Sequence, residues 1–211
     1  MTAPFVRPAI LEPLERVLRW MAGLRDSSGR ILCPQHGVEH TGKSAGAVVL
    51  ACELLELDPQ ADPEFLRDLA VQQGRRLVAN LVREGVSPCH TFRPGRHDPY
   101  NCSNSVIDGG ACSDALATLV LRLGDTLAPA DREAFQAAAV LHARTYLRYA
   151  VVDKGIPAQR AWGLTGLTAA LRLEPDEPMR RAAYRAIEVL REIQHADGSY
   201  AYHPREWGAA H

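Results

Sequence analysis

The chain reads as an all-α protein built from an array of helix hairpins. Three observations carry that reading. Apolar and Ala-rich runs recur at 45–57, 64–82, 111–123, 131–151, 161–173 and 178–194, after an opening helix near 9–24. No run alternates polar and apolar residues for long enough to be a strand. Breakers fall between the runs, at Asp58-Pro59, Pro94-Gly95, Gly124-Asp125, Pro129, Pro157 and Pro175 among others.

Two kinds of helix alternate. The first kind is small and apolar nearly all round: AGAVVLACELLELDP, ACSDALATLVLRLGD and AWGLTGLTAALRLEP. Aligned on their ends, these share a leucine pair, Leu55 and Leu57, Leu121 and Leu123, Leu171 and Leu173. A helix that is apolar all round is expected to be buried. The second kind carries Arg and Glu on one face, as in LERVLRWMAGL, FLRDLAVQQGRRLVANLV, AFQAAAVLHARTYLRYA and MRRAAYRAIEVLREIQ, and should face solvent. Each helix of this kind places a bulky apolar residue eight before a glycine: Met21 and Gly29, Leu77 and Gly85, Leu147 and Gly155, Leu190 and Gly198. Glycine just past a helix end is the ordinary stop. A repeated helix pair cannot bury its own apolar face, so it implies a stacked or ring architecture.

The 211 residues suffice for one domain with a real core. A net charge of −1 gives no global field toward nucleic acid or membrane. No stretch nears the ~20 apolar residues of a membrane span. The N-terminus meets charge and proline too early for a signal peptide, and five cysteines without one suggest reduced thiols in a cytoplasm.

The segment AIEVLREIQHADGSY resembles the QW-type repeat of terpenoid cyclases and prenyltransferase-like α/α toroids. Gln194, Asp197, Gly198 and Tyr200 stand where that repeat has its Gln, Asp-Gly and aromatic residue. RAWGLTGLTAALRL resembles the inner helix of the same repeat. The resemblance covers the last quarter of the chain well and the other copies loosely. It implies concentric inner and outer helices around a cavity. Similar toroids also serve glycosidases and polysaccharide lyases, so the fold alone does not name an activity. A closed ring of that family needs about twice the three inner helices visible here. Residues 1–211 are therefore expected to form a single helical-repeat domain that is either part of a larger toroid or has open edges free for self-association.

If outer and inner helices alternate, the outer-to-inner loops near 26–43, 85–108, 152–159 and 197–211 share one end. Seven of the eight histidines lie in or beside them: His36, His40, His90, His97, His195, His203 and His211. Long loops in compact domains are commonly functional, although polar residues also gather in loops for no other reason. The second loop is the richest, with Arg96, His97, Asp98, Tyr100, Asn101, Asn104, Asp108 and, on the helix beyond, Asp114. Asp108 precedes Gly109-Gly110 and is expected either to cap the inner helix or to act in catalysis. Asp114 lies on a helix expected to be buried, where a carboxylate must be paired or shifted in pKa.

These residue types suit a carbohydrate-active enzyme. Glycoside hydrolysis needs two carboxylates about 5–10 Å apart, which Asp98, Asp108 and Asp114 can supply. Elimination from a uronate needs a His or Tyr base with a neutralising group, and His97, Tyr100, Asn101, Asn104 and Arg96 have those types. Arg160 is a candidate anion clamp and Trp162 a sugar platform, with core packing the plain alternative for Trp162. Terpenoid or prenyl chemistry is the second reading, against which stand aromatics at only 6% and no DxDD or DDxxD. A non-catalytic helical scaffold is the third.

No cofactor is firmly implied. Zinc is an option, because Cys33-Pro-Gln-His36 with His40, and Cys89-His90 with Cys102, bring ligand types to one face. Residues 37–44, GVEHTGKS, match the P-loop pattern by letter. That motif requires a strand before it and a parallel sheet around it, which the rest of the chain does not offer. His40 and Lys43 remain candidates for binding a ligand group, and the amides opening the helix at Lys43 suit an anion.

Overall fold

In a computed structural model the structure describes residues 7–35, 37, 39, 41–81, 104–153 and 156–200. The described residues are nearly all helical: α1 (Leu11–Gly23), α2 (Thr41–Leu57), α3 (Pro63–Ala79), α4 (Asn104–Leu123), α5 (Pro129–His142), a π-helical segment (Ala143–Leu147), α6 (Arg148–Asp153), α7 (Pro157–Leu173) and α8 (Glu177–Glu192). Only isolated bridge pairs occur besides, so the all-α class stands.

The inner helices α2, α4 and α7 form one row, with α4 packed between the other two. The Arg- and Glu-bearing helices lie behind them: α1 and α3 on α2, α5 on α4, and α6 and α8 with α7. The main core lies between the rows and includes Leu66, Leu119 and Phe135, all fully buried. Burying a side chain such as Phe135 contributes about 2–3 kcal/mol. A smaller cluster around Leu147, Leu167 and Met179 joins α7 and α8.

The repeat is visible in backbone geometry. Gly29 and Gly198 both take positive φ, 81° and 86°. The Gly29 amide donates to the Asp26 carbonyl at 3.0 Å, and the Gly198 amide to the His195 carbonyl at 2.9 Å. Bridge pairs Arg25 with Ile31 and Gln194 with Tyr200 close the two turns in the same register. Left-handed backbone without a Cβ penalty is what selects glycine there. Gly85 and Gly155 lie outside the described residues.

A second repeated device was not read from the sequence. Each outer helix sends an arginine to a carboxylate at the start of the next outer helix. Arg19 meets Asp62 at 3.2 Å, Arg75 meets Asp131 at 2.7 Å, and Arg144 meets Asp176 at 3.0 Å. Asp62 and Asp176 are also N-caps, accepting from the amides of Phe65 and Met179. Arg19 and Arg75 stand ten residues before Gly29 and Gly85, whereas Arg144 stands eleven before Gly155. The extra residue falls on the π-helical segment, whose wider turn accommodates one more residue than an α-turn.

Two sequence expectations need correction. The inner helices begin earlier than their apolar runs, at Thr41, Asn104 and Pro157 instead of 45, 111 and 161. Asp108 is therefore inside α4 and is not its N-cap. Gly109-Gly110 is not a helix opening but a close-packing point. A Cβ on Gly110 would lie 2.1 Å from the Trp162 carbonyl oxygen, and one on Gly166 2.4 Å from the Gly110 carbonyl oxygen, so α4 and α7 touch backbone to backbone. The inner helices are also not buried all round: Leu57, Leu121 and Trp162 are exposed, and Trp162 looks onto an open face shared by α2, α4 and α7.

Candidate functional site

That open face holds a cleft of about 650 Å³. Helical spacing builds it. From α2 come Gly42, Lys43, Gly46, Val49, Leu50 and Glu53, one stripe three turns long. From α4 come Ile107, Asp108, Ala111 and Asp114, and from α7 comes Trp162. The opening turns of all three inner helices thus meet at one end of the cleft, as alternation of inner and outer helices requires.

Asp108 and Asp114 are six residues apart on α4, about 9 Å of helical rise. Their surroundings differ. Asp108 is packed against α2: its Oδ1 would lie 3.0 Å from a Cβ on Gly42, so the missing side chain there is what admits the carboxyl. Burial pushes its pKa up to about 6, with the neighbouring Thr41 hydroxyl pulling the other way. Asp108 Oδ2 and Thr41 Oγ1 are both buried, and neither completes a well-formed hydrogen bond. Asp114 is half-buried, and burial raises its pKa as well. Arg172 and Arg122 counter that shift by favouring the carboxylate, while Glu53 adds to it. Arg122 is in turn held by Glu53 at 2.6 Å and by Glu56.

The arrangement brings together four of the sequence candidates: Asp108, Asp114, Lys43 and Trp162. Trp162 is 48% exposed and its side chain faces the cleft rather than the core. Arg160 has a different task. It is buried, and its guanidinium Nη1 donates to the carbonyls of Val151 and, at 2.8 Å, Val152, tying the end of α6 to α7. It does not line the cleft. Asn104 opens α4. His40, Arg96, His97, Asp98, Tyr100 and Asn101 lie outside the described residues. Of the loop histidines, His195 is described; it is exposed in the turn after α8, away from the cleft.

Glu53 is the site residue that sequence reasoning missed. Its signal was an acid within an apolar run, on the stripe that starts at Gly42 and Lys43. Among the described residues no three His, Cys, Asp or Glu side chains converge as metal ligands. Of the zinc candidates only Cys33 is described, and it is buried. Cys52 is also buried, its thiol pushed up to about 12 by desolvation, which keeps it protonated and unreactive. The P-loop letters find no sheet among the described residues, and Ser44, which that motif would turn toward a metal, is fully buried. No helix among the described residues is long and apolar enough to cross a membrane.

Comparison with protein-family models, curated proteins and solved structures finds no match to this chain.

Proposed function

We propose that the cleft is the active site of a carbohydrate-active enzyme, a glycoside hydrolase that works by general acid–base catalysis on a polar glycan. One observation carries the reading: two carboxyl groups on one helix face the same cleft in unlike electrostatic settings. Environments that push the pKa values of paired carboxyl groups apart assign the acid and the base. Asp108, buried and without a cation acting on it, keeps its proton up to about pH 6, well above the range of an ordinary aspartate, and serves as the acid. Asp114, in the field of Arg172 and Arg122, serves as the base.

Water attacks the anomeric carbon and passes a proton to the Asp114 carboxylate. The glycosidic bond breaks, and its oxygen takes the Asp108 proton. In this scheme the reaction inverts the anomeric carbon, which calls for the two carboxyl groups to stand about 6.5–9.5 Å apart with the water between one of them and the sugar. Trp162 offers an apolar face for the sugar ring to lie on.

The aliphatic floor of Val49, Leu50, Ile107 and Ala111 favours a second reading, a prenyl or terpenoid substrate protonated by Asp108. One assay separates the two. The protein is incubated with a panel of neutral and uronate-bearing oligosaccharides and with farnesyl diphosphate. Release of reducing ends that disappears in Asp108→Asn and Asp114→Asn supports the hydrolase. Conversion of the diphosphate alone favours the second reading, and sugar cleavage retained in both variants removes Asp108 and Asp114 from the chemistry.

A further inference from the structure

Lys43 is the one cation that lines the cleft among the described residues. It shares that cleft with three carboxylates, yet it forms no ion pair or hydrogen bond with any of them. Two of these carboxyl groups already have arginines acting on them, and the third is packed against α2. Glu53 is paired with Arg122, Asp114 lies in the field of Arg122 and Arg172, and Asp108 is packed against Gly42 and Thr41. Lys43, itself half-buried, is thus left without a counter-ion among the described residues. A charge in that setting gains most from a partner that brings its own negative charge.

The wall around it is open enough for such a partner. Gly46 stands one turn from Lys43 on the same stripe, and a Cβ placed there would meet nothing within 4 Å. At Gly46 α2 consequently presents bare backbone to the cleft, and at the turn that holds Lys43 the positive end of the helix adds to its attraction. Asp108 borders the same turn through Gly42, so a group held by Lys43 would sit next to the acid. Trp162, across on α7, would lie under the ring that carries the group.

We propose that Lys43 makes the cleft selective for anionic sugars, binding the carboxylate of a uronate ring whose glycosidic oxygen faces Asp108. This rests on the glycan reading of the cleft and adds the substrate class to it. Lys43 is a specificity residue in this scheme and takes no part in bond breaking. Its role accounts for the GKS letters without a nucleotide: the lysine of that triplet meets an anion, and the serine is part of the core.

The test is calorimetric titration of the full chain with glucuronate, glucose and glucose 6-phosphate at pH 7 and low salt. The expected result is glucuronate binding at least about ten-fold tighter than glucose, the loss expected when one charge-assisted contact is absent. Lys43→Met should bring the two sugars level, and Lys43→Arg should keep most of the preference. Asp108→Asn, which removes turnover under the hydrolase reading, should leave the preference intact. Equal affinity for glucuronate and glucose in the unaltered protein overturns the anion role while leaving the hydrolase reading in place. So does a preference that survives Lys43→Met. Tighter binding of glucose 6-phosphate than of glucuronate overturns the uronate assignment in favour of phosphate. Failure of all three sugars to bind overturns both readings together.

Discussion

The two ends of the cleft place the same side chain in unlike surroundings. At the end where the inner helices begin, Asp108 is closed in by Thr41 and Gly42, and only the Thr41 hydroxyl works against its burial. Two turns along α4, Asp114 has similar backbone support but lies between Arg122, Arg172 and Glu53. What differs is the neighbouring helix. At the first end α2 contributes a glycine and a hydroxyl, whereas at the second α2 contributes an acid and the C-terminal turns of α4 and α7 contribute arginines. What counters burial along one helix is therefore decided by the charges that the helix and its neighbours place around each carboxyl.

The largest expected effect comes from erasing the difference. Asp108→Asn should lower glycan turnover by about 10²–10⁴-fold, the usual share of a general acid, with circular dichroism unchanged. The same variant should gain stability at pH 7. The folded-state pKa of Asp108 is raised above its unfolded value, so its favourable contribution is complete below pH ~4 and is lost as pH rises through about 6. Removing the charge should restore on the order of 3 kcal/mol at pH 7, read by urea unfolding. Asp114→Asn should lose turnover without a comparable gain, since its charge has cationic neighbours. In the unaltered protein turnover should fall above pH about 6, where Asp108 gives up its proton.

The next effect concerns the joint that holds both ends together. Gly110→Ala puts a methyl where the Trp162 carbonyl oxygen stands, 2.1 Å away. Overpacking of this kind costs typically 1–3 kcal/mol. It should also move Trp162 relative to α4, so KM should rise along with the fall in Tm. Trp162→Ala keeps the joint and removes the platform; a rise in KM of about ten-fold, with kcat little changed, is the expected reading. The smallest effect is at the far end. Arg122→Ala removes the partner of Glu53 and Glu56, a half-exposed cluster worth less than about 1 kcal/mol. It should nevertheless shift the acid limb of the pH profile upward, because Arg122 favours the ionised form of Asp114. A profile that does not move would mean Asp114 is not the base.

Much of this architecture is legible in the sequence. Apolar and Arg-bearing runs alternate because one kind of helix sits between neighbours and the other has a wet face, and that periodicity places every helix. The recurring glycine is legible because a positive φ admits few other residues. The starts of the inner helices are not. Gly109-Gly110 has the composition of a turn, and only the position of α7 reveals that the missing side chains are needed for contact. For the same reason Gly42 reads as part of a phosphate loop when its role is to admit a carboxyl group from α4. Asp114 was legible as a carboxyl that must be paired or shifted, because a charge on an apolar helix must be compensated; Arg122 lies eight residues on in the same helix, but Arg172 lies on α7. Arg160 shows the converse: a basic residue at a helix start reads as an anion clamp, and the carbonyls it satisfies become apparent only when α6 ends beside it.

The π-helical turn at Ala143–Leu147 gives the array a place to absorb changes in chain length. Leu147, the last residue of that turn, keeps with Gly155 the spacing of Leu77 and Gly85, while Arg144, near the start of the turn, is displaced by one position. The repeat is thus counted backward from its glycine, and the surplus residue is taken up in a loop that never leaves the helix. Deleting a single residue inside 143–147 should relax this turn to an ordinary α-helix and leave both ends of the rod docked. The same deletion anywhere else in α3 or α5 would rotate one half of the helix by about 100° against the other and put its charged face into the core.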